Sequence, residues 1–203
     1  AALAVQAQPG LPVAAHLTAA RASRADVLAR ADSFVAAGVT EIVALRGDPD
    51  TPGAAFEAHA EGFADSIELV AALAARGDLT IRVGAYPESH PDAASPRQNI
   101  EWLKRKFDAG ADEAITQFFF EAETFLRFRD DCAKAGITQP IHPGILPITN
   151  WTKVRSFAQR CGAGIPAWLD SAFETAARDG REDLLALTTA SEMCTRLIEE
   201  GVP

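Results

Sequence analysis

YPESHPDAASPRQNIEWLKRKFDAGADEAITQFFF, Tyr86 to Phe120, decides the fold. It reads as the end of a buried strand, a proline-bounded polar loop, a helix, and a second buried strand. Ser95 stands at the helix cap, Pro96 in the first turn where its missing N–H costs nothing, and Gly110 just past the end. Ile100, Leu103 and Phe107 form the apolar stripe, and Asn99, Trp102, Arg105 and Lys106 lie on a neighbouring face.

The same strand–loop–helix unit recurs on either side. Leu11–Leu17 (LPVAAHL) reads as a strand ending at His16 and Thr18. Ser23 caps a helix with the stripe Val27, Leu28, Ala31, Phe34 and Val35, and Gly38 stops it. Val39–Leu45 is the next strand and runs into Arg46-Gly47-Asp48-Pro49. A Gly- and Pro-rich loop leads to a helix with Phe63, Ile67, Val70 and Leu73, and Leu79–Tyr86 forms the third strand. Glu113–Phe120 is the fourth strand, and a helix bearing Phe125, Leu126, Phe128 and Cys132 follows. Ile141–Leu146 is a fifth, short strand. Asn150 caps a helix over Trp151–Cys161, and two further helical segments lie around Phe173 and over Glu182–Glu200.

Five alternating units with strands apolar on both faces predict an α/β fold with a parallel sheet covered by helices. No G-x-G-x-x-G follows the first strand, which removes the main support for a dinucleotide-binding doubly wound sheet. The polar residues gather instead where strands give way to helices: His16, Arg46, Asp48, Tyr86, His90 and Gln117. That is the pattern of a (β/α)8 TIM barrel, here lacking its first two strands and its last. AALAVQAQPG reads as a helix end entering a loop, and Gly201-Val202-Pro203 as a helix stop. Residues 1–203 are accordingly expected to be a single barrel domain belonging to a longer chain.

Composition bounds the partners. The 203 residues carry a net charge of −9, with 48% hydrophobic and 23% charged residues, an ordinary globular balance. The acidic total argues against nucleic-acid or membrane-surface binding, although local basic patches remain open. Cys132, Cys161 and Cys194 form no C-x-x-C pair and suit a reducing, cytoplasmic setting. No apolar run approaches the ~18 residues of a membrane span. The four histidines show no metal-ligand spacing, so no metal is expected, and no nucleophile elbow is evident.

Several candidates carry two readings from the residues alone. The Trp102–Arg105–Lys106 face is either a solvated helix side or a surface for an anionic aromatic ligand. Arg46-Gly47-Asp48 is either an Arg–Asp pair closing the strand ends or a turn whose glycine lets the backbone approach a ligand. As a cell-adhesion tripeptide it would be out of place at a buried strand end. Gln117, inside an apolar strand, needs partners for its amide, from another side chain or from a heterocycle.

LRGD at 45–48, AYPESHP at 85–91, LKRKFDAGAD at 103–112, ITQFFF at 115–120 and PGILPITN at 143–150 together resemble the methylenetetrahydrofolate reductase family. HLT at 16–18, FLRFRDDC at 125–132 and IPAW at 165–168 fit the same pattern, so the resemblance covers nearly the whole chain. It implies a (β/α)8 flavoprotein that reduces 5,10-methylenetetrahydrofolate to 5-methyltetrahydrofolate with NAD(P)H, by ping-pong hydride transfer through FAD. That chemistry belongs to one-carbon and methionine metabolism, in a cytoplasmic homo-oligomer. By the same resemblance His16, Arg46, Gly47, Asp48, Ala64, Tyr86, His90, Ala93, Arg105 and Lys106 would contact FAD. Asp48 would also act electrostatically in catalysis, close to the folate. Gln117 would bind the pterin or the nicotinamide, and Phe157 would stack on whichever is present.

The sequence departs from the family at identifiable places. Asn99 stands where an aspartate is common and Trp102 where a smaller polar residue occurs, so both would alter the adenosine end of the FAD site. Lys153 replaces a substrate-contacting glutamine, and that role is not carried over. The family's general acid, a glutamate in an E-F-F-P-P motif on its first strand, has no counterpart here. Two alternatives follow: another FAD barrel such as the proline dehydrogenase type, or a non-catalytic flavin- or folate-binding subunit.

Overall fold

A computed structural model describes residues 13–49, 56–88, 90, 92–93 and 95–202. The expected helix end at 1–10, the start of the first strand and the Gly- and Pro-rich loop at 50–55 lie outside these residues. Strands β1 (Ala14–Thr18), β2 (Glu41–Leu45), β3 (Thr80–Ala85), β4 (Glu113–Phe118) and β5 (Ile141–Gly144) form one sheet in chain order. Helices α1 (Arg24–Ala36), α2 (Ser66–Ala74), α3 (Pro96–Asp108) and α4 (Ala122–Lys134) each follow one of the first four strands. After β5 come α5 (Trp151–Cys161), α6 (Ala167–Asp179) and α7 (Glu182–Glu199). Parallel strands with alternating helices are part of a (β/α)8 barrel, as the sequence predicts. No helix among the described residues is long and apolar enough to cross a membrane.

The caps lie where local chemistry places them. The Ser23 hydroxyl accepts from the Asp26 N–H at 3.1 Å, and the Asn150 amide oxygen from the Lys153 N–H at 3.0 Å. Asp65 accepts from both the Ile67 and Glu68 N–H groups at 2.8 and 2.9 Å, satisfying two donors that a helix start leaves open. α2 therefore begins at Ser66, and Phe63, expected on its stripe, is buried ahead of it. Leu69, not Ile67, joins Val70 and Leu73 in the buried stripe.

The strands depart from the expectation of apolar residues on both faces. β3 and β4 alternate strictly between buried and half-buried positions. In register, Ala15, Ile42 and Ile81 occupy one face, and Leu17, Ala44 and Val83 continue it. All are buried. The other face carries His16, Val43 and Arg82 in register. There the half-buried Arg82 guanidinium bonds Glu113 at 2.7 Å and also pairs with Glu41. A sheet face with ionic side chains needs partners at hand, which explains three charges in otherwise apolar strands.

The chain divides into two compact units, Ala1–Gly84 with Trp102–Ala114, and Ala85–Glu101 with Ile115–Pro203. In the first, Val27, Leu69, Leu73, Leu103 and Phe107 of the helices are buried, as is one face of the strands. Gly110 adopts φ 107°, and a Cβ there would stand 2.5 Å from the Ala74 Cβ. In the second, Trp151 stacks on Phe173 at 4.6 Å between ring centres, beside Val154 and Leu169. A second cluster joins Phe119, Phe125 and Leu126 to Leu197 and Val202.

Candidate functional site

In the first unit, the segments that leave β1 and β2 run side by side past the strand ends. The Ala19 N–H donates to the Leu45 carbonyl at 3.1 Å and the Ala20 N–H to the Arg46 carbonyl at 2.9 Å. Gly47 has φ 88°, and a Cβ there would come within 2.7 Å of the Ala20 Cβ. Conformation and space both require glycine at this turn. Asp48 next to it is exposed, as is His16 on β1.

Arg46 turns back onto its own loop. Its Nε donates to the Gly47 carbonyl at 3.4 Å, and its guanidinium lies over the Phe56 ring at 4.6 Å. Lys106 of α3 is half-buried and donates from Nζ to the Gly84 carbonyl, at the end of β3, at 2.7 Å. Burial, and then the Arg46 charge, push the Lys106 pKa down to about 8, with Asp65 offsetting part of the effect. Two cations thus act on each other in a desolvated setting, an arrangement that an anion relieves. Ala64 is exposed, with its N–H donating to the Glu68 carboxylate at 3.1 Å. Trp102 is half-buried and Arg105 exposed.

In the second unit, Tyr86 and His90 meet edge to face, with ring centres 4.5 Å apart. His90 Nδ1 accepts from the Asp92 N–H at 3.0 Å. The Ala93 N–H donates to the His90 carbonyl at 2.9 Å, closing the loop. Asn99, expected beside the cationic helix face, is 6% exposed. Its Oδ1 accepts from the His90 N–H at 3.2 Å, while its Nδ2 is buried with no hydrogen-bond partner among the described residues. A buried amide donor without an acceptor is costly and marks a place for a ligand oxygen or ring nitrogen.

Gln117 of β4 is half-buried, and its Oε1 accepts from the neighbouring Phe118 N–H at 3.1 Å. Phe157 of α5 stacks on Phe118 at 5.3 Å and 21°, yet stays 41% exposed, with Arg160 5.7 Å above its ring. An exposed aromatic ring can take a flat heterocycle on its free face. Cys132 is inert by contrast: burial pushes its thiol up to about 12. Among the expected site residues, His16, Arg46, Gly47, Asp48, Ala64, Trp102, Arg105 and Lys106 belong to the first unit. Tyr86, His90, Ala93, Asn99, Gln117 and Phe157 belong to the second.

The fold defines the class: a chain of the (β/α)8-barrel type. The chain belongs to the methylenetetrahydrofolate reductase family, which it matches over residues 1–203. It is 40% identical over 199 residues to 5,10-methylenetetrahydrofolate reductase of Salmonella typhimurium, covering 98% of this chain and 65% of that one. The Escherichia coli reductase matches with the same identity and coverage. The chain thus spans about 65% of the length of these curated relatives. A solved phosphonopyruvate hydrolase, in complex with oxalate and Mg++, shares the fold alone. Its TM-score is 0.53 at 15% identity, over 97% of this chain and 75% of that one.

Sequence reasoning missed the burial of Asn99 and the desolvation of Lys106. The i, i+3, i+7 spacing from Asn99 to Trp102 and Lys106 was the available signal. It marks a helix side but does not say which neighbour covers it.

Proposed function

We propose that the protein carrying this sequence reduces 5,10-methylenetetrahydrofolate to 5-methyltetrahydrofolate at the expense of NAD(P)H, with FAD as its bound cofactor. The observation that carries the proposal is family membership along the whole chain at 40% identity to reductases of that name. FAD supplies the two-electron relay between the two substrates.

The chain's own residues fit such a group. Arg46 and Lys106, the latter short of a counter-charge, suit the pyrophosphate. Gly47 allows a ligand to approach the backbone where a Cβ would not fit. The unpartnered Asn99 amide suits an acceptor on the nucleotide, in place of the aspartate common in the family. Tyr86 and His90 offer aromatic ring surface, and His16, Ala64, Ala93, Trp102 and Arg105 complete the proposed contacts. Asp48 suits an electrostatic part: an exposed carboxylate near a developing iminium favours the cation. Gln117 offers both donor and acceptor to a pterin or a nicotinamide amide, and Phe157 a stacking face. Because these two residues serve both substrates, the substrates must take turns, which makes the kinetics ping-pong. A cytoplasmic homo-oligomer is the proposed setting.

Steady-state kinetics test this. The purified protein should oxidise NADH or NADPH beyond one equivalent per flavin, under exclusion of air, only when methylenetetrahydrofolate is present, yield 5-methyltetrahydrofolate, and give parallel double-reciprocal lines. Proline-dependent flavin reduction without folate turnover would instead make it a proline dehydrogenase-type barrel.

A further inference from the structure

One side chain ties two loops of the second unit together, and no step proposed above uses it. Glu88 lies between Tyr86 and His90 in the loop after β3. Its carboxylate reaches Gly164, 76 residues away, between α5 and α6. Both oxygens accept from the Gly164 N–H, Oε1 at 3.0 Å and Oε2 at 2.9 Å. A Cβ at position 164 would crowd the Glu88 carboxylate, which would have to shift away from the N–H to make room. The junction is tight: the cavity bounded by Tyr86, Gln117, Phe118 and the 161–163 backbone has about 10 Å³ of free space, room for one water at most.

This contact bears on where α5 ends. Gly162, at φ 71°, caps α5 in the left-handed conformation, and the Ala163 N–H closes onto the Ala158 carbonyl at 3.0 Å. Ala158 and Ala163 are buried against Phe118, the residue after Gln117. Phe157, next to Ala158, stacks on the same Phe118 ring. Apolar contact alone lets a helix end slide or roll, since it has no direction. A hydrogen bond that one peptide N–H donates to a carboxylate supplies the direction. The loop that supplies it also carries Tyr86 and His90.

We propose that Glu88 is a positioning residue: through the Gly164 N–H it fixes the carboxyl end of α5, and with it the Phe157 ring stacked on Phe118. The proposal rests on the function proposed above, in which that ring takes folate and nicotinamide in turn.

The test uses the FAD-loaded protein and its Glu88→Ala, Glu88→Asp, Glu88→Gln and Gly164→Ala variants. Amide hydrogen exchange is followed over residues 159–166, together with the affinity for methylenetetrahydrofolate, KM, kcat and FAD content. Glu88→Ala and Gly164→Ala should speed exchange at 164–165 and weaken folate binding by about tenfold, the scale of one lost charge-assisted bond. They should raise KM with little change in kcat, and leave FAD content as in the wild type. Glu88→Gln keeps an acceptor at the same reach and should restore most of the affinity. Glu88→Asp is one methylene short and should behave like the alanine variant. A role confined to stability would not produce that Gln-against-Asp split. Wild-type folate affinity in Glu88→Ala, or equal loss in Gln and Asp, overturns the positioning role alone. A wild-type protein that binds no folate overturns the proposed function, and the positioning role with it.

Discussion

Lys106 offers the sharpest prediction, because two independent effects act on one ammonium. Burial and the Arg46 charge bring its pKa from 10.5 to about 8 in the folded chain, whereas in the unfolded chain it returns to its ordinary value. Between those two values the unfolded chain holds a proton that the folded chain has lost. Stability therefore rises with pH from about 8 to about 10.5, and below 8 the folded state bears the full cost. That cost is about 3 kcal/mol at 1.36 kcal/mol per pKa unit. Lys106→Met keeps the stem and removes the charge. It also removes the bond to the Gly84 carbonyl, worth about 1 kcal/mol. The variant should be more stable than the wild type at pH 7 by roughly 1–2 kcal/mol, and the difference should close as pH rises past 8. Urea midpoints from pH 7 to 10 measure this, and taking variant minus wild type cancels the other titrations. A variant less stable at pH 7, or parallel pH profiles, would refute the account of Lys106 as a desolvated cation. Flavin binding has its own sign. A phosphate beside Lys106 raises its pKa, so binding takes up a proton above pH 8. Wild-type FAD affinity should then fall by up to about tenfold per pH unit above 8, while Lys106→Met binds FAD weakly and without that slope.

Three further outcomes follow from the site. Asp48→Asn should slow reoxidation by folate by at least about tenfold while leaving reduction by nicotinamide nearly intact; equal loss in both half-reactions by stopped flow would end its electrostatic role. Gln117→Leu should weaken folate binding by about 1–3 kcal/mol, the cost of unpaired polar edges, with FAD content unchanged by absorbance. Asn99→Asp puts a carboxylate into a buried position, where burial raises its pKa above the ordinary carboxylate range. The folded state then binds the extra proton, so the variant's stability deficit, about 1–3 kcal/mol at neutral pH, should shrink as pH falls. Chemical denaturation at pH 7.5 and pH 5.5 checks the sign.

The strand–helix alternation was readable because each boundary carries its own local chemistry. Ser23 and Asn150 cap α1 and α5 as expected, and glycines at 38, 110, 136 and 162 stop helices with positive φ. The faces were less readable. Glu41, Arg82 and Glu113 are charges spread 72 residues apart in three apolar-looking strands, and only their register brings them into one ion-pair group. α2 shows why a stripe shifts: Asp65 accepts two backbone bonds and fixes the helix start, which sets which side chains turn inward. At the site, residue types were legible but their surroundings were not. Lys106 and Asn99 resemble solvated helix residues until β3 and the His90 loop cover them. The Glu88–Gly164 contact leaves no local trace, since neither residue has a neighbour that signals the other.

The most direct test of the proposed reductase is a single half-reaction. The purified protein is loaded with FAD, reduced without air and mixed with methylenetetrahydrofolate while absorbance at the flavin bands is followed. Return of the oxidised flavin spectrum, with one 5-methyltetrahydrofolate formed per flavin, is the result expected. A protein that takes up no FAD, or whose reduced flavin persists in saturating methylenetetrahydrofolate, would contradict it.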